Sequence, residues 1–211
     1  MLYITIFHYR ITIIKTQKPF ADSCEQNKHA ILGIIEHEFQ DSELILEIGS
    51  GTGQHAVFFA EHLPHLTWQT SEQAENLLGI RQWINDSPCN NILEPINLNV
   101  SAQWPNIAYS GIFSANTVHI MSWPEVEVMF DGIGKILKTN SPFCLYGPFN
   151  YGNNYTSESN ENFDTWLKNR DPNSAIRNFE DLVLLAERHG LLLKDDHEMP
   201  ANNRILVWIK K

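Results

Sequence analysis

At 211 residues, 43% of them hydrophobic, the chain is long enough to bury the core of one α/β domain of ordinary size. Its 15 Lys and Arg against 25 Asp and Glu give a net charge of −10 and an isoelectric point near 5.3. That balance removes the diffuse attraction to phosphate backbones and anionic lipid, so neither nucleic acid nor a membrane surface is an expected partner.

The opening MLYITIFHYRITIIK is apolar, yet it has no basic segment ahead of the apolar part, and His8, Tyr9 and Arg10 interrupt it. No small-residue cleavage site follows, and it is too short to span a bilayer. Residues 1–17 read as a strand-like extension, or as sequence upstream of a domain covering 18–211. The three cysteines, Cys24, Cys89 and Cys144, are odd in number and lack metal-type spacing. They fit a reducing, cytoplasmic compartment better than a disulfide framework.

From residue 18 onward, helical and extended patterns alternate. A helix is expected at 24–39, a buried strand at 44–48, a helix at 54–63, a strand at 66–70 and a helix at 73–85. Strands follow at 92–98 and 109–115, then a helix at 124–138 with Asn140 as its stop, and a strand at 142–147. The segment 147–171 carries no clear period and reads as a lid-like loop, a length uncommon without a function. A helix over 178–189, closed by Gly190, precedes two strands joined across the turn PANN. With no internal repeat and no long linker, this order means a doubly wound, mostly parallel sheet finished by a hairpin.

The stretch EIGSGTGQH follows the first strand and opens a helix. Free N–H groups and a positive dipole end make such a junction a ligand site, and glycines let the ligand approach the main chain. The spacing selects among cofactors. A dinucleotide fingerprint needs a third glycine where Gln54 stands. A phosphate-binding P-loop needs a lysine, and none occurs between Lys28 and Lys135.

Gly49, Gly51 and Gly53, two residues behind Glu47, resemble motif I of the class I S-adenosylmethionine-dependent methyltransferases. A narrower likeness covers nearly everything from Lys18 on. KPFADSCEQNK, SGTGQHAVFFAEHLP, TWQTSE, ANTVHIMSW, LYGPFNYGNNYTSESNENFDTWLKNRDP, IRNFEDL and MPANNR are similar to the methyltransferase-like protein 26 family, also called domain-of-unknown-function family 938. The resemblance implies a Rossmann-like α/β fold with a doubly wound, seven-stranded, mostly parallel sheet whose last strand is antiparallel. It implies S-adenosylmethionine as cofactor, an ammonium and ribose hydroxyls being suited by carboxylates. Glu72, after the second strand, matches the ribose-binding position. Asn99 stands where the adenine contact is more often an aspartate, and its amide oxygen can accept the same hydrogen bond. The sequence departs from the family where KTNSPF replaces a Pro-Gly-Gly turn.

Ligands of such sheets lie beyond the carboxyl ends of the strands. The resemblance and this rim together give the expected cofactor set: Glu47, Gly49, Ser50, Gly51, Gly53, Gln54, Glu72, Asn99, Asn116 and, more remotely, Asn27. The fourth-strand loop adds His119, the candidate base, because an ordinary imidazole titrates near neutral pH. Asn116 and Tyr151 would orient the acceptor. Asn150, Tyr155, Asn202 and Asn203 complete the expected rim, provided the final hairpin turns on that side, with Pro148 and Arg204 beside them. These amides, phenols and imidazoles suit a small polar molecule held by hydrogen bonds. A loop histidine serves as readily to hold its own turn, and Asp164 and Asp171 as readily to cap or turn the chain. No metal is expected, since Pro64 keeps His65 off the face of His55 and His62. Trp68, Trp104, Trp123, Trp166 and Trp208 read as packing. The activity expected is methyl transfer to an unidentified acceptor; the alternative is a non-catalytic cofactor-binding or partner-binding protein that keeps the fold, with a nicotinamide oxidoreductase further behind.

Overall fold

The computed structural model describes residues 18–211; the expectations for the first 17 residues lie outside them. The chain begins with α1 (Asp22–Glu38) and then alternates β1 (Leu44–Ile48), α2 (Gln54–His62), β2 (Thr67–Glu72), a 3₁₀ turn at Ala74–Asn76, α3 (Leu77–Asn85) and β3 (Ile92–Asn97). It continues through β4 (Gly111–Ala115), α4 (Trp123–Ile136), β5 (Pro142–Gly147), β6 (Phe149–Asn150), α5 (Glu158–Arg170), β7 (Arg177–Asn178) and α6 (Phe179–Arg188). The hairpin of β8 (Leu191–Met199) and β9 (Asn203–Lys210) ends it.

Seven strands form one sheet in the order β3-β2-β1-β4-β5-β9-β8, and β6 and β7 make a separate two-stranded pair. Only β9 runs against its neighbours in the large sheet, which is the architecture the resemblance implied. Gly147 at the end of β5 pairs with Arg204 at the start of β9, so the hairpin turn lies at the carboxyl rim. Edge strand β3 tolerates Pro95, which has no N–H to give to the ladder, by a register shift opposite Gln69 and Ser71. The Gln69 amide recovers a bond there, donating to the Glu94 carbonyl at 2.8 Å.

Side chains that alternate along the strands feed two cores. Ile45, Cys144, Tyr146, Ile205 and Val207 face α1 and α2, while Leu46, Phe143, Leu145, Leu206 and Trp208 face α4 and α6. Glu47 therefore points into the α1/α2 side, a position that its neighbours must justify.

Three expectations need correction. The 73–85 helix is broken into the 3₁₀ turn and α3, and the strand expected at 109–115 begins at Gly111, Tyr109 making only an isolated bridge to Leu137. More consequentially, the segment read as a loop over 147–171 contains β6 and the 13-residue helix α5. Its apolar residues are only Phe163, Trp166 and Leu167, too few to give a strong period. What starts it is Ser157, whose hydroxyl accepts from Asn160 N at 3.2 Å.

Trp208, fully buried, stacks on Phe143 at 5.3 Å between centroids and meets the edge of Phe130 at 5.7 Å. Trp208→Ala should cost about 3–5 kcal/mol in urea unfolding, as expected for a large buried aromatic. A loss under about 1 kcal/mol would mean this core does not close the β5–β9 half of the sheet.

Candidate functional site

The three loop glycines all lie in the left-handed region, with φ of 73° at Gly49, 55° at Gly51 and 92° at Gly53. Their surroundings differ. A Cβ on Gly49 would sit 2.5 Å from Thr117 Cγ2, and one on Gly53 3.1 Å from the Ile80 Cα. A Cβ on Gly51 would meet nothing within 4 Å. Two of the glycines thus let the protein pack on itself, and the middle one leaves its backbone open to a ligand.

Hydrogen bonds fix this loop against β2. Ser50 N donates to the Ser71 carbonyl at 2.9 Å, and Ser71 N donates back to Ser50 Oγ at 3.1 Å. Ser50 Oγ donates to Glu47 Oε2 at 2.9 Å, and the Trp68 indole N–H reaches the same oxygen at 3.1 Å. Glu47 is 1% exposed, so its carboxyl holds the loop from behind. Burial pushes its pKa up to about 7, with the Glu72 charge adding to the rise and the Trp68 and Ser50 bonds opposing it. Glu72, at the end of β2, is the carboxylate at the surface. Its Oε2 accepts from Gly51 N and its Oε1 from Gln73 N, at 2.9 and 2.8 Å.

Beside Gly51 and Thr52 a cavity of about 440 Å³ is walled by Glu75, Asn76 and α3, with no lysine or arginine among its lining residues. A pyrophosphate there would face Glu72 and Glu75 unneutralised. A ligand with hydroxyls or a positive charge meets the carboxylate acceptors this rim offers.

A second cavity, about 570 Å³, opens between α1, α5, the ends of β4 and β5 and the hairpin turn. Asn27, Asn116, His119 and Asn203 share it with an apolar wall that the loop reading of α5 hid: Phe163, Trp166 and Leu167, with Ile120 opposite. Asn116 has a φ of 58°, an uncommon conformation that turns the chain sharply off β4, and its N–H donates to the Tyr146 carbonyl at 2.9 Å. Asn27 bridges inward: its Oδ1 lies 2.7 Å from His55 Nε2, and its amide also bonds the Tyr146 hydroxyl.

His119 is 4% exposed and its Nδ1 has no partner among the described residues. Burial, aided by the positive charges of Arg177 and Arg170, lowers its pKa to about 4. The ordinary value expected from sequence is thereby corrected: this imidazole is neutral across the neutral pH range. Its position is set by residues the sequence did not single out. Arg177 Nε donates to the Val118 carbonyl at 3.0 Å, Arg177 Nη2 donates to the Met121 carbonyl, and Ala175 N donates to the His119 carbonyl at 3.0 Å.

The other expected residues are dispersed. Gln54 is turned toward α1, accepting from Ala21 N at 2.6 Å and donating to Glu25 at 2.8 Å. Asn99 is exposed and its Oδ1 accepts from Ser101 N at 2.9 Å, closing its own turn. The Tyr151 hydroxyl donates to Asp196 at 2.8 Å and lines a neighbouring cavity with Asn202, Asn203 and Arg204, away from His119. Burial, then the Asp196 bond, raises the Tyr151 pKa well above the ordinary phenol value. Tyr155 donates to Asp164 at 2.7 Å, and Asn150 is buried on β6 with its Oδ1 unpartnered among the described residues. Asp164 caps nothing: almost fully buried within α5, it also accepts from Ile176 N at 2.7 Å and pairs with Lys168 at 2.5 Å, fastening the helix to the chain that follows. Asp171 does turn the chain, accepting from Asn173 N at 2.9 Å. His55, His62 and His65 have separate partners, and Glu38, Asp195 and His197 cluster elsewhere with the Lys194 ammonium already on Glu38.

The raised pKa of Glu47 has a pH consequence. A carboxyl whose folded value lies above its unfolded one is unpenalised at low pH, and the stability it contributes is lost as pH rises from about 4.5 to about 7. Glu47→Gln keeps an acceptor for Ser50 and Trp68 without the charge. Its unfolding free energy relative to wild type should move in the variant's favour across that window, by up to about 3 kcal/mol, and level off above it. The shared histidine contributions cancel in the comparison. A difference that does not change with pH in urea unfolding from pH 4.5 to 8 would contradict a buried, penalised carboxylate.

The fold of the chain is similar to that of solved methyltransferases. An O-methyltransferase family protein from Burkholderia thailandensis superposes with a TM-score of 0.79 at 11% identity, covering 90% of this chain and 58% of the other. Human N-acetylserotonin methyltransferase in complex with SAM gives 0.76 at 12% identity, covering 90% and 53%. The mitomycin 7-O-methyltransferase MmcR gives 0.79 at 15%, covering 90% and 54%. At these identities the likeness establishes the Rossmann-like methyltransferase fold, and the chain spans little more than half the length of those proteins. Among the described residues no helix is long and apolar enough to cross a membrane. The DUF938 family model, described as protein of unknown function, matches residues 18–210, and the chain belongs to that family.

Proposed function

We propose that the chain is an S-adenosylmethionine-dependent methyltransferase acting on a small-molecule acceptor, working in the reducing cytoplasm its three free cysteines suit. The likeness of its motifs to the methyltransferase-like protein 26 family is part of this reading, as is a functional unit covering 18–211. The observation that carries it is the open space over Gly51, edged by the Glu72 carboxylate and free of cations, one loop away from the His119 cavity. Structural neighbours that bind the same cofactor support it.

When bound, S-adenosylmethionine supplies a methyl group on a positively charged sulfur. Glu72 would hold its ribose hydroxyls, exchanging its present bond to Gly51 N, and the bare Gly51 backbone would lie against it. Ser50 and Glu47 keep that loop in place, and Asn99 would serve at the adenine end. Asn116 and Asn27 line the His119 cavity, so their amides would orient what enters it. Holding acceptor and donor in line supplies several kcal/mol of barrier lowering without acid or base. His119 Nδ1, neutral and without a partner among the described residues, would accept a hydrogen bond from an acceptor hydroxyl and take its proton as that hydroxyl becomes acidic.

The lowered His119 pKa also favours a second reading, a cofactor-binding protein without transfer, because so weak a base helps little. Incubation with methyl-labelled cofactor and a metabolite extract separates the two: labelled small molecule supports the enzyme, and saturable binding without label supports the binder.

Gly51→Asn tests the cradle itself, since asparagine adopts the left-handed backbone and its side chain then fills the open space. Calorimetric titration should show saturable S-adenosylmethionine binding to the wild type and at least about a hundredfold weaker binding to the variant, with an unchanged unfolding transition. Equal binding by both proteins removes Gly51 from the site.

A further inference from the structure

The second cavity has a chemical character of its own. No Asp, Glu, Lys or Arg is among the residues lining it, and its histidine is held neutral by burial. Its polar groups are amides, hydroxyls and one imidazole, most of them on the α1, β4 and hairpin sides, with Ser159 and Asn160 on the first turn of α5. The α5 side is aromatic: the Phe163 ring meets His119 edge-on at 5.3 Å and stacks with Trp166 at 5.8 Å and 13°. Trp166 is 54% exposed and Ile120 is 45% exposed, so two large apolar side chains stand uncovered at the mouth. Outside the lining, Arg170 lies 5.2 Å from the Trp166 ring centroid, and Arg177 is bound to carbonyls behind the loop. Lys168 is paired with Asp164.

From these features we infer that the acceptor is an uncharged molecule with a planar aromatic body and a hydroxyl, its ring against Phe163 and Trp166 and its hydroxyl toward His119 Nδ1 and Asn116. The physical reasons are separate for each part. A charged acceptor would lose water and gain no counter-charge among the lining residues. A planar ring matches the two near-parallel rings of α5, where stacking adds to area burial. A hydroxyl satisfies His119 Nδ1, one of three buried nitrogens without a partner among the described residues and the one whose residue lines this cavity. The volume is that of a small-molecule site. Trp166 is then a specificity residue, and its half-exposed position makes it removable without opening the core. This inference rests on the methyltransferase reading for the word acceptor; the cavity's preference stands on its own lining.

The test is a calorimetric titration of the full chain at pH 7 with matched probes. These are 2-naphthol, 7-hydroxycoumarin, decahydro-2-naphthol, the anion 6-hydroxy-2-naphthoate and the cation 6-(aminomethyl)-2-naphthol. At least one neutral aromatic should bind saturably, the saturated analogue about fivefold more weakly, and both charged naphthols at least about tenfold more weakly than 2-naphthol. Trp166→Ala should bring 2-naphthol and its saturated analogue within about twofold of each other, and Trp166→Phe should restore most of the difference. S-adenosylhomocysteine, titrated separately, should bind wild type and Trp166→Ala alike. The inference is overturned by the absence of saturable binding for both neutral aromatics, by a charged naphthol binding as tightly as 2-naphthol, or by an aromatic preference that survives Trp166→Ala. Failure of S-adenosylhomocysteine to bind, with the Trp166-dependent preference intact, would defeat the methyltransferase reading and leave the aromatic site standing.

Discussion

Everything at the carboxyl rim depends on the junction of β1 and β2, where Ser50 exchanges hydrogen bonds with Ser71 and anchors to the buried Glu47. A loop of three left-handed glycines has much conformational freedom to lose, and these bonds, with the Trp68 indole, hold it in one form. Gly49 against Thr117 and Gly53 against Ile80 then bring the β4 loop and α3 close on either side. Only with those contacts made does Gly51 face open space. The cost is a carboxyl stripped of water, which the structure retains because its two donors lie on the loop and on the neighbouring strand.

The acceptor side is held by a different device. Asp164 ties α5 to Ile176 and Tyr155, and Arg177, one residue on, ties the same stretch of chain to the carbonyls of Val118 and Met121. These two buried charged residues therefore set the distance between the α5 wall and His119. They also account for the electrostatics: Arg177 contributes to the lowered pKa of His119 while lying outside the cavity. A neutral imidazole facing an uncharged lining is the result.

Much of the architecture was legible because buried strands and capped helices carry strong local patterns. The β1 run, the glycine turn behind it and the terminal hairpin stand where expected. The α5 wall was hidden because Phe163, Trp166 and Leu167 are set among polar residues, so its period is weak and its helix depends on Ser157 and on Asp164 being buried by tertiary contacts. Residue types at the rim were readable, but their directions were not. Tyr151 belongs to Asp196 and Gln54 to α1, pairings made by groups 45 and 33 residues away that no local spacing announces. The pKa of His119 was likewise invisible, since burial and two distant arginines decide it.

The central claim is that cofactor and acceptor occupy adjoining spaces at one rim, the first over Gly51 and Glu72 and the second under α5. Backbone amide chemical shifts of the labelled full chain, recorded while S-adenosylhomocysteine is added, test it most directly. The account predicts that the largest changes fall on Gly51, Thr52, Gln73 and Asn116, with Trp166 and Phe163 moving less. Saturable shifts confined to the α4/α6 groove around Arg177 and Arg188, or no saturable shifts in a folded protein, would contradict it.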